Sequence, residues 1–432
     1  MSYVIAAPEM LAAAATDVEG IGTALSEAHS VVAGPTLGLV PAAADEVSAL
    51  ITQLFSGHAQ EFQALSAKAA AFHEQFVQAL NTSVGSYASA EAQAANALTG
   101  IFGSAPITPV PATPNPTFTG TPSLASRIET AALYPVKELL TVTGVYNQLG
   151  TPGSPALQLL ANTSNIPGLS LILGNSPPKF LPLLLGETVQ QIGYDGMPVV
   201  QITPAHPDGN YVVGIHGGAF VLPPTLFHWI DYSMMAYQTG ATIEVPIYPL
   251  MQQGGTAGVV VPEMAGLISS EIVAHGAPHV SVLGDSAGGT LALSSVEYLV
   301  ANNQAVPASM VLLSPWLDVS DTNPNIAYVH DPILPPLGSG AQNIGNVWAG
   351  NLPENNYEVS PLYGSLKGLP PTTVYSGSLD SVSPDALVLQ QEAVAQGAPI
   401  SFVLANGEIH DWIILTPDGL NYWPQIDQEL GI

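Results

Sequence analysis

The chain has 432 residues, with 33 acidic side chains against five basic ones, a formal charge of −28. The cations Lys68, Arg127, Lys137, Lys179 and Lys367 stand singly, which excludes a basic nucleic-acid surface and an electrostatic grip on anionic membranes. Cysteine is absent, which excludes disulfides and thiolate metal sites, and the length calls for two or three domains.

The opening "MSYVIAAPEMLAAAATDVEG" has no basic start, no clean apolar core and no cleavage box, so it is a poor secretory signal. No run of 18 apolar residues occurs, and no transmembrane helix is expected. Up to Leu98, proline beyond Pro8 is confined to Val32–Ala42, and both flanks are helical in pattern. In the second arm Val47, Ile51, Leu54, His58, Phe62, Leu65, Ala69, Phe72, Phe76, Leu80, Val84 and Tyr87 recur at steps of three and four, on one face. Leu11, Val18, Ile21 and Leu25 repeat the pattern in the first arm. Residues 1–99 therefore read as a long antiparallel helical hairpin. Leu50 and Phe55 widen its apolar face beyond what one partner helix hides, so a further surface is expected to cover it.

Residues 100–122, "GIFGSAPITPVPATPNPTFTGTP", are rich in Pro, Thr and Gly and read as an extended, poorly ordered linker. Residues 123–187 are helical, apolar and broken by proline, with no evident strand, and read as a cap whose Leu171–Leu185 stretch would wall an acyl site. From 188 to 432 strand-like and helix-like runs alternate, which predicts an α/β sheet. Eight strands are expected: "TVQQIGY", "PVVQITPA", "YVVGIHG", "TIEVPIY", "HVSVLGD", "SMVLLSP", "TTVYSGS" and "ISFVLA".

Gly284-Asp285-Ser286-Ala287-Gly288 fits G-x-S-x-G between a strand-like and a helix-like run. At such a turn the serine backbone is strained and the glycines remove clashes, which lifts the Ser286 hydroxyl to the sheet's carboxyl edge. A hydroxyl needs a base, and the base an orienting acid, in the chain order Ser, acid, His. His410 in "ANGEIHDW" is the expected base; His330 falls in Pro-rich "VHDPILPP", before a suitable acid strand. Asp380, closing "TTVYSGSLD", is the expected acid, with Asp385 as runner-up. Asp318 reads as structural, and Glu408 and Asp411 as too near His410 in sequence to reach its far nitrogen. Gly217, Gly218 and Ala287 are the expected oxyanion donors, with His216 holding their loop. The chemistry needs no metal or cofactor.

"HGGAF" (216–220), "YPL" (248–250), "GDSAGG" (284–289), "SPWLD" (314–318), "SGSLD" (376–380) and "IHDW" (409–412) resemble, in order and spacing, the hormone-sensitive-lipase-like α/β-hydrolases. That resemblance implies the α/β-hydrolase fold and the roles given to Ser286, Asp380, His410, Gly217, Gly218 and Ala287. Ala219 departs from the family's frequent third glycine, with little expected consequence. The first hundred residues resemble the PE domain of mycobacterial proteins through Pro8-Glu9 and the Tyr87-x-x-x-Glu91 secretion signal. This implies type VII secretion to the cell envelope or outside, and pairing with a PPE-domain helical protein. Together the parts resemble mycobacterial PE-domain lipases, which implies hydrolysis of acylglycerols and a PE part that serves export. The competing readings are a short-chain carboxylesterase, and a non-enzymatic surface protein working through its hairpin.

Overall fold

The computed structural model describes residues 8–102, 106–160, 163, 166, 169–336 and 339–432, with backbone alone for 8–14, 17, 72, 79–80, 82–102 and 341. The chain divides into two compact units, 1–100 and 101–432.

In the first unit, α1 (Pro8–Leu37) and α2 (Glu46–Phe102) form the hairpin. Asp45 starts α2 by accepting the N–H groups of Val47 and Ser48, as a helix N-terminus requires. His73 Nε2 lies 2.8 Å from Val18 O, and the His29 ring meets Phe62 edge-on. The later residue of one helix meets the earlier residue of the other, so the helices are antiparallel. Leu50, Leu54, Phe55 and Leu65 remain exposed, the wide apolar face expected from their spacing. The side chains of Tyr87 and Glu91 lie outside the described residues.

The second unit is built on a nine-stranded sheet. Its elements, in chain order, are β1 (Val110–Pro111), α3 (Leu124–Val142), α4 (Val145–Leu149), α5 (Pro155–Leu160), α6 (Phe180–Leu185), β2 (Thr188–Tyr194), β3 (Met197–Thr203), β4 (Tyr211–Ile215), α7 (Leu226–Thr239), β5 (Thr242–Pro246), α8 (Ala257–His275), β6 (Val280–Asp285), α9 (Ser286–Ala301) and β7 (Met310–Leu313). After these come α10 (Asn343–Ala349), β8 (Thr372–Leu379), α11 (Ser383–Gln396), β9 (Ile400–Ile409), α12 (Trp412–Leu415) and α13 (Trp423–Leu430). The strand order is β1-β9-β8-β7-β6-β4-β5-β3-β2. The strands from β5 through β9 run parallel; β2, β3 and β1 are antiparallel to their neighbours. This is the α/β-hydrolase fold, and all eight expected strands are present.

The parallel strands are buried on both faces, which explains their unbroken apolar runs. On one face α8 and α9 place Met264, Ile268, Leu291 and Val296 in the core. On the other, α7, α12 and α13 contribute Trp229, Tyr232, Trp412 and Ile426. α8 is long and apolar enough to cross a membrane by length and composition alone. Its Val260, Val261, Met264, Leu267 and Ile268 are instead packed in the core, and that burial accounts for its apolarity.

The expected loose linker behaves differently from its composition. Ala112 N–H donates to Ile400 O, Thr119 N–H to Leu404 O, and Asn406 N–H to Thr119 O, while Ile107 N–H donates to the Tyr422 hydroxyl. Residues 107–119 thus run along β9 and cover its free edge. Proline tolerates such an edge position, where its missing N–H faces away from the ladder.

Candidate active site

β6 ends at Asp285 and α9 begins at Ser286, whose φ of 49° lies in the left-handed region that a non-glycine residue adopts only under constraint. The constraint is packing. A Cβ on Gly288 would strike Ile215 O at the end of β4, and one on Gly284 would strike Gly288 O. Glycine alone permits that approach, and the tight turn raises the Ser286 hydroxyl above the sheet edge.

His410 follows β9, and Asp380 follows β8. His410 Nε2 lies 2.8 Å from Ser286 Oγ, and His410 Nδ1 lies 2.9 Å from Asp380 Oδ1. Asp380 Oδ1 also accepts the Val382 N–H, which fixes the carboxylate. All three side chains are buried. Burial alone would lower the imidazole's proton affinity; the Asp380 and Asp411 charges and the Asp380 hydrogen bond act against it and raise it overall.

Asp411 corrects one expectation. Its φ of 52° folds the chain back, and its Oδ2 reaches 3.3 Å from His410 Nε2, the nitrogen that also faces Ser286. Burial, opposed by His410, pushes the Asp411 carboxyl above its ordinary range. Asp385 is elsewhere: its Oδ1 accepts from Asn323 Nδ2, and it makes no hydrogen bond to His410. Asp318 accepts from Ser320 and Tyr363, a local brace. His330 offers its carbonyl to the Tyr134 hydroxyl and does not join Ser286.

The oxyanion loop also departs from expectation at one position. The Gly217 N–H donates to Asp285 Oδ2 at 3.0 Å, so it is not free to meet a substrate oxygen. The N–H groups of Gly218 and Ala219 have no acceptor among the described residues, and that of Ala287 lies in the first turn of α9, where no intrahelical acceptor exists. Gly218, Ala219 and Phe220 all have positive φ. Phe220, fully buried and stacked 3.9 Å from Trp348, anchors the strained loop. His216 stacks on Tyr248 and lies 2.8 Å from Gly217 O through Nδ1. Burial, with the nearby His228, drives its proton affinity down to about 3, so it stays neutral.

Asp285 is a support that the sequence reading passed over. Besides Gly217 N–H, its Oδ2 meets His228 Nε2 at 3.0 Å, and both side chains are buried. Burial lowers the His228 imidazole's proton affinity, but the Asp285 charge and hydrogen bond raise it overall. His228 is clamped in turn by the Thr225 capping box that starts α7. The only prior signal was an acid placed inside the G-x-S-x-G turn.

A cavity of about 70 Å³ opens at Ser286 and His410, walled by Ala219, Trp316, Ile326, Leu334, Pro335, Ile344 and Val382. Most of the wall comes from the long connection between β7 and β8, with Ala219 from the loop after β4 and Val382 from the loop after β8, and Leu171–Leu185, the expected acyl wall, contributes nothing. Residues 172–174 pair with 224–226 and α6 packs on α7, which commits that stretch elsewhere. Within the wall, Asp331 Oδ1 accepts the N–H groups of Ile333 and Leu334, and its Oδ2 accepts that of Ser381, next to Asp380. Lys137 and Tyr146, from the helical segment 123–187, donate to the carbonyls of Asp331 and Ile333. A wider groove of about 1010 Å³ lies between the hairpin helices, but among the described residues it holds no nucleophile paired with a base. Among the described residues, no cluster of His, Asp and Glu is arranged to hold a metal ion.

Comparisons with known proteins agree with this architecture. Residues 4–94 match the PE family, and residues 212–414 match the alpha/beta hydrolase fold. A triacylglycerol lipase of Mycobacterium tuberculosis is 54% identical, over 100% of this chain and 99% of its own length. An acetyl-hydrolase of Streptomyces hygroscopicus is 27% identical over 49% of this chain and 71% of its own. A solved esterase of the bacterial hormone-sensitive lipase family shares the fold, with a TM-score of 0.51 at 23% identity, over 58% of this chain and 90% of its own. The chain belongs to the family in which a PE domain is joined to an α/β-hydrolase domain, the family of the M. tuberculosis triacylglycerol lipase.

Proposed function

We propose that this chain is a serine ester hydrolase that cleaves acylglycerols, with Ser286 as nucleophile, His410 as general base and Asp380 as orienting acid. One observation carries the reading: a single imidazole bridges the Ser286 hydroxyl at 2.8 Å and the Asp380 carboxylate at 2.9 Å. Ser286 Oγ attacks the ester carbonyl while His410 Nε2 takes its proton. The developing oxyanion meets the N–H groups of Gly218, Ala219 and Ala287. His410 returns the proton to the leaving alcohol, and water then frees the acyl group by the same steps in reverse order. The acylglycerol substrate rests on the relative that is 54% identical.

Ser286→Ala tests the mechanism. Turnover of an emulsified triacylglycerol should fall by about 10⁶-fold, as when a serine nucleophile is removed, with the circular dichroism spectrum unchanged; retained turnover would overturn the assignment. A second reading, a short-chain carboxylesterase, is favoured by the cavity of about 70 Å³, far below the roughly 300 Å³ at which drug-sized ligand pockets begin. An acyl-length series on one preparation separates the two.

The PE-family match at 4–94 and the Tyr87-x-x-x-Glu91 spacing support export by a type VII route to the cell envelope or outside. The exposed face of α2, with Leu54, Phe55 and Leu65, supports pairing with a PPE-domain helical partner. Tyr87→Ala should hold the chain inside the cell; undiminished export would refute the signal.

A further inference from the structure

α6 is six residues long and two-faced. Leu181 is buried in the core beneath it, whereas Leu183 is 84% and Leu184 78% exposed. At 100° per residue, Phe180, Leu183 and Leu184 share one outward arc. Leu171, Ile172 and Phe227 are exposed as well. Their backbones are pinned: Gly174 N–H donates to Pro224 O, Leu226 N–H to Ile172 O, and Trp229 Nε1–H to Gly174 O. These side chains are therefore held outward on a fixed frame, and the patch is preorganised.

The charge pattern identifies what would cover it. The chain carries 33 acidic residues, yet none lies between Glu138 and Glu187, and the one charge in that interval is Lys179, which precedes Phe180. Glu187, the first acid after the interval, is pushed up to about 7 by burial. Asp231, on α7, is buried and raised well above its ordinary range, chiefly by burial. A second copy of a chain with a charge of −28 would be repelled. A lysine beside an aromatic residue and a run of leucines matches an interfacial segment, its ammonium reaching the headgroups while the ring and leucines enter the acyl layer. Phe227 lies next in sequence to His228, which bonds Asp285, the neighbour of Ser286.

We propose that Phe180, Leu183 and Leu184, flanked by Lys179, Leu171, Ile172 and Phe227, form a docking surface for the uncharged face of a lipid aggregate. This deepens the acylglycerol reading on which it rests: it names the physical form in which substrate is met.

The test uses the full chain, a Leu183→Ser/Leu184→Ser variant and a hairpin variant, Leu54→Ser/Phe55→Ser. Each is floated with vesicles of dioleoylphosphatidylcholine and assayed on water-soluble p-nitrophenyl acetate. The α6 variant should bind vesicles at least tenfold more weakly than the parent, with turnover of the soluble ester unchanged; the hairpin variant should still float. Equal binding by the α6 variant, loss of binding only in the hairpin variant, or a parent chain that does not float would each overturn the proposal. Should the double variant not fold, Leu184→Asp carries the same test at a single exposed position. Flotation requires no turnover, so a parent chain that binds vesicles but cleaves no ester would refute the enzymatic reading and leave the docking surface standing.

Discussion

Glu408→Gln should remove one group's unusual contribution to the pH dependence of stability. Glu408 is only 4% exposed, and Oε2 has no partner among the described residues. Burial, with the Asp418 carboxyl beside it, pushes Glu408 up to about 8 from an ordinary 4.5. The folded chain therefore keeps a proton here that the unfolded chain releases near pH 4.5. Between those limits the folded state binds more protons, so this group makes stability fall as pH rises. Each pKa unit corresponds to about 1.4 kcal/mol, and the interval sets an upper contribution of roughly 4–5 kcal/mol at pH 8. Glutamine removes the titration and can donate to Asp418 Oδ1, which lacks a partner among the described residues. Calorimetric melting of parent and variant at pH 5, 6, 7 and 8 measures the effect. The variant's advantage should be least at pH 5 and grow steadily to pH 8. A difference independent of pH, or one that turns against glutamine at pH 8, would refute the reasoning.

Two further predictions concern the acid and the edge strand. Asp380→Asn should lower kcat/KM by about 10⁴-fold through loss of the correct imidazole tautomer, whereas Asp385→Asn, whose contact is Asn323, should change it only a few-fold; the reverse order would move the acid. A chain lacking residues 1–100 should stay soluble and hydrolytic, whereas one lacking 1–122 loses the bonds of residues 107–119 to β9 and to Tyr422. At about 1 kcal/mol each, four such bonds are worth roughly 4 kcal/mol, and the bared edge invites aggregation; equal melting temperatures and solubility for the two truncations would contradict this.

The legible parts of this molecule are those in which local chemistry and tertiary structure agree. Runs such as "TTVYSGS" and "HVSVLGD" combine branched residues with a terminal turn, and they became β8 and β6. The edge segment at 107–119 was hidden because proline masks strand propensity, and because its partner lies almost 300 residues on. Asp411 escapes prediction because reach judged from sequence spacing assumes ordinary backbone, and its left-handed φ breaks that assumption. The engagement of Gly217 was invisible in one dimension: Asp285, 68 positions later, captures the Gly217 N–H. The most apolar stretch, which composition alone would make a cavity wall, faces outward on α6.

The Asp331 carboxylate ties the Leu334 wall and the Ser381 loop into one fastener. Any widening of the chamber that drags Leu334 outward pulls on the peptide next to Asp380. Selectivity for longer substrates and catalytic power are thus mechanically linked: a protein engineered for roomier esters would surrender speed unless that knot were retied first.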